Sequence, residues 1–169
     1  MAFGTGHHGT TLGCLQLLDR LASDGHAPDR IADIGCGTAV LAMAAARVWP
    51  AHIVASDIDP VAVEVAEANL AANGLSGRVR CVTAAGFDHP ELTSGGPYEL
   101  ILANILKGPL LALAPTVLDN LALNGWVILS GILNEQADEV LEVYARSGIN
   151  LCDRISIGDW TSLTLRKLG

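Results

Sequence analysis

The chain of 169 residues is long enough for one domain with a sizeable core, since a domain of this size buries roughly 70% of the surface that its unfolded chain exposes. No stretch approaches the ~20 apolar residues of a membrane span, and the N-terminus lacks the basic and apolar regions of a secretory signal, which predicts a cytoplasmic protein. A net charge of −8 without a basic cluster argues against direct binding to nucleic acid and is compatible with a basic partner.

Apolar runs alternate with helical patterns along the chain. The predicted strands are residues 31–34, 52–56, 78–83, 98–103, 126–129, 151–157 and 160–166. The predicted helices are residues 10–23, 40–49, 60–73, 109–121 and 135–147, with a loop over 84–97. This alternation predicts an α/β fold with a mostly parallel, doubly wound sheet. The last two strands, joined through Gly158-Asp159, predict a C-terminal antiparallel hairpin, and a single domain is expected over 1–169.

A glycine turn follows the first predicted strand, within IADIGCGTAVLAMAAA. Asp33, Gly35 and Gly37 alternate there, an arrangement that brings bare backbone close to a nucleotide-like ligand at a helix N-terminus. The third glycine of the dinucleotide motif G-x-G-x-x-G is replaced by Val40. The turn reads D-x-G-x-G-x-A instead, which resembles motif I of Rossmann-like methyltransferases that use S-adenosylmethionine. A purely structural strand–helix turn is the alternative.

Two polar residues end predicted strands. Asp57 follows the second strand, about 20 residues after the glycine turn, where an acid accepts hydrogen bonds from ribose hydroxyls in such folds. The alternative is a helix-capping acid, although Asp59, directly before Pro60, is the better candidate for that. Asn104 ends the fourth strand, and its amide could hold an amine that must present its lone pair. A turn or cap role is equally open for Asn104.

The N-terminal segment FGTGHHGTT, residues 3–11, is rich in glycine and hydroxyl groups and precedes a helix. It could form a clamp over a ligand, or Thr10 or Thr11 could simply cap the helix. His7 and His8 are adjacent and would point apart on a regular element, and no further ligand with metal spacing follows, so no metal site is predicted. The four cysteines are scattered without a C-x-x-C pair, which predicts reduced thiols.

Several sequence blocks together indicate a protein family more specifically than any one of them does. The blocks are AFGTGHHGTT, IADIGCGTAVLAMAAA, ASDIDPVAVEVAEANLAANG, LILANIL, LALAP, LSGIL and GDWTSLTLRK. In this order, from Ala2 to Lys167, they resemble the catalytic domain of the PrmA family, bacterial methyltransferases that modify a large-subunit ribosomal protein. His7 stands where the family usually has threonine, and Gly9 where it usually has proline. The resemblance implies a Rossmann-like, seven-stranded class I methyltransferase fold.

The resemblance also implies a cofactor, a site and a reaction. The cofactor is S-adenosyl-L-methionine, and its implied contacts are Thr11, Gly35, Asp57 and Asn104, with Phe3 and Gly37 joining them. Asn104 is the candidate catalytic residue that positions the acceptor amine. The family methylates lysine side-chain amines and an N-terminal amine of a basic ribosomal protein, which implies that partner here.

The chain begins directly at AFGTG, whereas PrmA proteins carry an N-terminal domain that docks the ribosomal protein. We therefore expect either a fragment or a stand-alone catalytic domain. A stand-alone enzyme could act on another protein or on a small-molecule amine. A non-catalytic module that binds S-adenosylmethionine is a further alternative, and a nicotinamide oxidoreductase is disfavoured by Val40.

Overall fold

The computed structural model describes residues 8–168, which form a seven-stranded sheet with helices on both faces. The helices are α1 (His8–Ser23), α2 (Val40–Val48), α3 (Pro60–Ala72), α4 (Pro90–Gly95), α5 (Lys107–Asn120) and α6 (Ala137–Arg146). The strands are β1 (Arg30–Ile34), β2 (His52–Asp57), β3 (Val79–Thr83), β4 (Tyr98–Asn104), β5 (Leu121–Leu133), β6 (Ile149–Ile157) and β7 (Trp160–Lys167). None of the described helices is long and apolar enough to cross a bilayer.

The strand order is β3-β2-β1-β4-β5-β7-β6. The first five strands in this order are parallel, and β7 runs antiparallel to both β5 and β6. This confirms the predicted mostly parallel sheet and its antiparallel hairpin, and β7 inserts between β5 and β6. The chain passes outward from β1 to β3 and then returns to β4 beside β1. Such a reversal leaves a crevice at the carboxyl ends of β1 and β4, where ligands bind in open α/β sheets.

Two hydrophobic cores lie on the two faces of the sheet. Along β1, Ile31 packs with α1, α2 and α3, while its neighbour Ala32 packs with α4, α5 and α6. Along β4, Leu100 and Ile101 divide in the same way, and both are fully buried. Central strands covered on both faces read as apolar runs, and the alternation of such runs with helices is what predicted the parallel sheet. The two layers fix the strand ends and leave their carboxyl edge open.

The third helix shows how local sequence sets an element's ends. Asp59 is extended at the N-cap position, and its Oδ1 accepts a hydrogen bond of 2.9 Å from the Val61 N–H. Pro60 occupies the first turn, where a missing N–H costs nothing, and Gly74 follows the C-terminus with φ of +70°. The predicted capping role of Asp59 is confirmed.

Two elements differ from the sequence prediction. The segment 84–97, predicted as a loop, contains the short helix α4, which begins at Pro90, and His89 Nδ1 accepts a hydrogen bond of 3.1 Å from the Glu91 N–H to cap it. Strand β5 was predicted over 126–129 but spans Leu121–Leu133, because Leu121 already pairs with Tyr98 at the start of β4. Asn124, whose φ is +63°, lies within that strand, beyond the end of α5 at Asn120.

Candidate active site

A cleft of about 1120 Å³ opens at the carboxyl edge of the sheet. Its walls come from the glycine turn after β1, the end of β2, the segment 84–88 after β3, and the residues from Asn104 into α5. These are the strand ends on either side of the chain reversal. The cleft therefore lies where this topology provides a ligand site.

The glycine turn has a backbone that other residues adopt with difficulty. Gly35 has φ of +69° and Gly37 has φ of +53°, both in the left-handed region. A Cβ on Gly35 would also overlap Cγ2 of Ile105, which approaches from the end of β4. The turn is tied to the sheet, since the Cys36 N–H donates to the Ser56 carbonyl at 2.8 Å. Both glycines line the cleft, so main-chain groups are presented there without side chains.

Replacing Gly35 by alanine is expected to lower the free energy of unfolding by about 2 kcal/mol or more, because the left-handed backbone and the contact with Ile105 both oppose a Cβ. The matched control is Gly74→Ala, since Gly74 has φ of +70° but nothing within 4 Å of its Cβ position. Urea unfolding of both variants measures the difference. Equal losses would show that the contact with Ile105 contributes nothing.

Asp57 braces this turn. Its Oδ2 accepts a hydrogen bond of 3.0 Å from the Gly37 N–H, and its Oδ1 accepts one of 3.0 Å from the Asp59 N–H. The helix cap is Asp59, so Asp57 does not serve as one. Each carboxylate oxygen retains further acceptor capacity, and Asp57 lines the cleft. Its carboxylate is thus fixed by two main-chain donors and available to ligand hydroxyls.

Asp33 is a buried acid at the back of the same cleft. It is 2% exposed, and its Oδ2 accepts a hydrogen bond of 3.1 Å from the Ala42 N–H in α2. Burial raises the pKa of the Asp33 carboxyl to about 7; the Ala42 hydrogen bond opposes this rise, and the negative charge of Asp57 adds to it. The leading acid of the D-x-G-x-G turn therefore changes charge near neutral pH.

The ionisable side chains described at the cleft are predominantly acidic. The described residues that line it include Asp33, Asp57, Asp59 and Asp88, and among them there is no lysine, arginine or histidine. Carboxylates in a recess create a negative potential that attracts cations. Such a wall is better suited to a ligand with positive charge than to the pyrophosphate of a dinucleotide.

Asn104 is the last residue of β4 and is 9% exposed. Its Nδ2 donates to Thr10 Oγ1 at 3.4 Å, whereas Oδ1 has no hydrogen-bond partner among residues 8–168. A buried polar atom without a partner costs about 1–3 kcal/mol, so it is rarely left without a reason. Because Asn104 also lines the cleft, the free oxygen fits a site that accepts a hydrogen-bond donor from a ligand. No helix is capped by this side chain.

The predicted site residues gather at this cleft, with one exception. The cleft is lined by Thr11, Gly35, Gly37, Asp57 and Asn104, whereas Phe3 lies outside the described residues. Thr10 and Thr11, considered as helix caps, lie inside α1. The segment 84–88 after β3 was missed, although the same rule of strand ends points to it. In the described part of the chain no three histidine, cysteine or acidic side chains form a metal-binding group.

Comparisons with known proteins agree with this geometry. A family model described as ribosomal protein L11 methyltransferase (PrmA) matches residues 1–168. The ribosomal protein L11 methyltransferase of Brucella suis is 46% identical over 166 residues, which are 98% of this chain and 58% of that protein. The chain therefore spans a little over half the length of such relatives.

Solved structures share the fold. Ribosomal protein L11 methylase from Lactobacillus delbrueckii subsp. bulgaricus has a TM-score of 0.88 at 28% identity, covering 100% of this chain and 82% of that one. The N-methyltransferase NodS from Bradyrhizobium japonicum, in complex with S-adenosyl-L-homocysteine, has a TM-score of 0.70 at 14% identity, covering 90% and 85%. The seven-stranded class I methyltransferase fold is thus confirmed. With the family model matching nearly every residue, the chain belongs to the ribosomal protein L11 methyltransferase (PrmA) family.

Proposed function

We propose that this chain is the catalytic domain of an S-adenosylmethionine-dependent N-methyltransferase that acts on amines of large-subunit ribosomal protein L11. The observation that carries the proposal is the buried, unpartnered Oδ1 of Asn104 in a cleft walled by carboxylates. The family membership supports the same reaction. An oxygen acceptor suits an attacking amine, and a negative wall suits a cationic methyl donor.

The cofactor contacts are proposed for Phe3, Thr11, Gly35, Gly37, Asp57 and Asn104. Main-chain groups of the glycine turn lie open to a ligand because Gly35 and Gly37 carry no Cβ. Asp57 would accept hydrogen bonds from two ribose hydroxyls, since two main-chain donors already fix its carboxylate. S-adenosylmethionine, when bound, supplies a methyl group activated by a positively charged sulfur. The protein's contribution is orientation and the exclusion of water.

The acceptor amine must be neutral when it attacks. A lysine amine has an unperturbed pKa near ~10.4, so it has to lose a proton first. Asn104 cannot take that proton, because an amide does not titrate in this range. We infer that the proton passes to solvent and that Asn104 Oδ1 holds an N–H of the amine. Asn104 is in this sense the catalytic residue.

The proposed partner is a basic ribosomal protein in the cytoplasm. A chain of net charge −8 is electrostatically suited to such a partner, and complementary charge mainly speeds encounter. Relatives such as the Brucella suis protein are longer, and this chain covers 58% of that one. By resemblance, a substrate-docking domain accounts for part of the remainder. This chain alone is therefore expected to bind ribosomal protein more weakly than the longer relatives do.

Replacing Asn104 by alanine is expected to lower kcat by about tenfold to thirtyfold, because the amine loses its hydrogen-bond acceptor. The affinity for S-adenosylmethionine, measured by calorimetry, should change less than kcat. Turnover is measured by mass spectrometry of ribosomal protein L11 incubated with the chain and S-adenosylmethionine. Asn73→Ala is the control, since Asn73 lies at the exposed end of α3 and does not line the cleft.

Each outcome bears on the proposal. Equal losses of kcat and cofactor affinity, or no loss, would count against the role of Asn104. Methylation of a small amine but not of ribosomal protein L11 would overturn the substrate. Tight binding of S-adenosylmethionine without methylation of any amine would instead indicate a non-catalytic binding module.

A further inference from the structure

Thr10 is hydrogen-bonded to two neighbouring strands, β4 and β5, beside the cleft. It is fully buried in the first turn of α1. Its Oγ1 accepts the hydrogen bond of 3.4 Å from Asn104 Nδ2, and its main-chain carbonyl accepts one of 3.3 Å from Ser130 Oγ. Asn104 and Ser130 are direct register partners on β4 and β5. One residue of the helix thus bridges two paired residues of neighbouring strands.

Further buried hydroxyls hold Thr10 in this place. Ser130 Oγ and Ser162 Oγ lie 2.7 Å apart, and both serines are almost completely buried. Helix α1 packs so closely on β7 that a Cβ on Gly13 would overlap Ser162 Oγ. Thr10, Asn104, Ser130 and Ser162 form one polar cluster. The hydrogen bonds to its side chain and to its main-chain carbonyl restrict Thr10 from two sides, so the position of its hydroxyl is well defined.

The two ends of the Asn104 carboxamide differ in their hydrogen bonding. A carboxamide has two donors on nitrogen and one acceptor oxygen. In the part of the chain that the structure describes, the nitrogen donates to Thr10 and the oxygen has no partner. We propose that Thr10 is a positioning residue, which holds Nδ2 so that Oδ1 of Asn104 is the atom that accepts an N–H of the substrate amine. This rests on the proposed methyl transfer. It adds the residue whose contact with Nδ2 leaves Oδ1 of the carboxamide for the substrate.

The test is Thr10→Val, which keeps the shape and removes the hydroxyl. We expect kcat for ribosomal protein L11 to fall about fivefold, with calorimetric affinity for S-adenosylmethionine changed less than about twofold. The side-chain ¹⁵N–¹H resonances of Asn104, identified by their absence in Asn104→Ala, should shift. Thr10→Ser should restore both kcat and the resonances, because it returns the hydroxyl.

The matched control is Thr161→Val. Like Thr10 it is fully buried, but its hydroxyl donates to Asn134 Oδ1 at 2.7 Å and makes no contact with Asn104. It should cost stability without moving the Asn104 resonances or kcat. If Thr10→Val does not fold, Thr10→Ala, which cannot overfill the site, carries the same expectations.

Unchanged Asn104 resonances in Thr10→Val would overturn the proposal. So would equal losses of kcat in Thr10→Val and Thr161→Val, because a merely structural role predicts that result. If the unaltered chain transfers no methyl group, the proposed function fails. The resonances of Asn104 still report whether Thr10 holds its amide, so the two failures are distinguishable.

Discussion

Asp57→Ala is expected to weaken binding of S-adenosylmethionine by at least about a hundredfold, because two hydrogen bonds to a charged acceptor are worth about 1.5–3 kcal/mol each. The carboxylate of Asp57 is already oriented by the Gly37 and Asp59 N–H groups, so little entropy is lost when a ligand binds. Its removal also frees the Gly37 N–H and loosens the glycine turn. Calorimetric titration of both proteins measures the ratio of dissociation constants.

The control for Asp57 is its neighbour. Asp59 lines the same cleft and carries the same charge, but it caps α3 through the Val61 N–H. Asp59→Ala should cost about 1 kcal/mol of stability, while binding weakens by no more than about threefold. Titration with S-adenosylhomocysteine, which lacks the sulfonium charge, separates hydrogen bonding from electrostatics. Similar losses in Asp57→Ala and Asp59→Ala would refute the ribose assignment.

Asp33→Asn is expected to change how stability depends on pH. The pKa of Asp33 is raised from 3.8 in the unfolded chain to about 7 in the native state. At pH values between these two, the native state holds a proton that the unfolded state has released. Stability from this group is fully present below the unfolded pKa and is lost as pH rises through the native pKa. At ~1.4 kcal/mol per pH unit, the loss over that window is about 4 kcal/mol.

Asparagine in this position does not titrate and can still accept the Ala42 N–H. The free energy of unfolding of Asp33→Asn minus that of the unaltered chain should therefore rise between about pH 4 and about pH 7 and then level off. Urea unfolding across this range measures the difference, in which the other titrating groups cancel. A difference that is flat with pH would falsify the raised pKa.

Much of the fold was predictable because its signals are local. The alternation of apolar strands and helical patterns, Pro60 at one helix start and Gly158-Asp159 in the hairpin each depend on neighbouring residues. Helix α4 escaped prediction because its six residues contain one large apolar side chain, Leu92, which makes no periodic pattern, and its cap is a histidine. Strand β5 begins early because of its pairing with β4, which the sequence around Asn124 does not reveal.

In the candidate site, too, some features could be predicted from local sequence and others depend on distant residues. Gly35, Asp57 and Asn104 were predicted because each stands at the end of a strand or directly after it, and the carboxyl ends of parallel strands meet at one edge. The contact between Thr10 and Asn104 joins residues 94 positions apart, so no local pattern contains it. The charge state of Asp33 was hidden for another reason, since it depends on burial contributed by several elements.

The carboxylate wall of the cleft has a consequence for repeated turnover under the proposed function. Methyl transfer removes the sulfonium charge, so the product, S-adenosylhomocysteine, carries one positive charge fewer than S-adenosylmethionine. Besides Asp33, three aspartates with no basic counterpart among the described lining residues favour the donor over its product. The chain can thereby limit inhibition by its own product through charge alone, and added salt would erode that advantage.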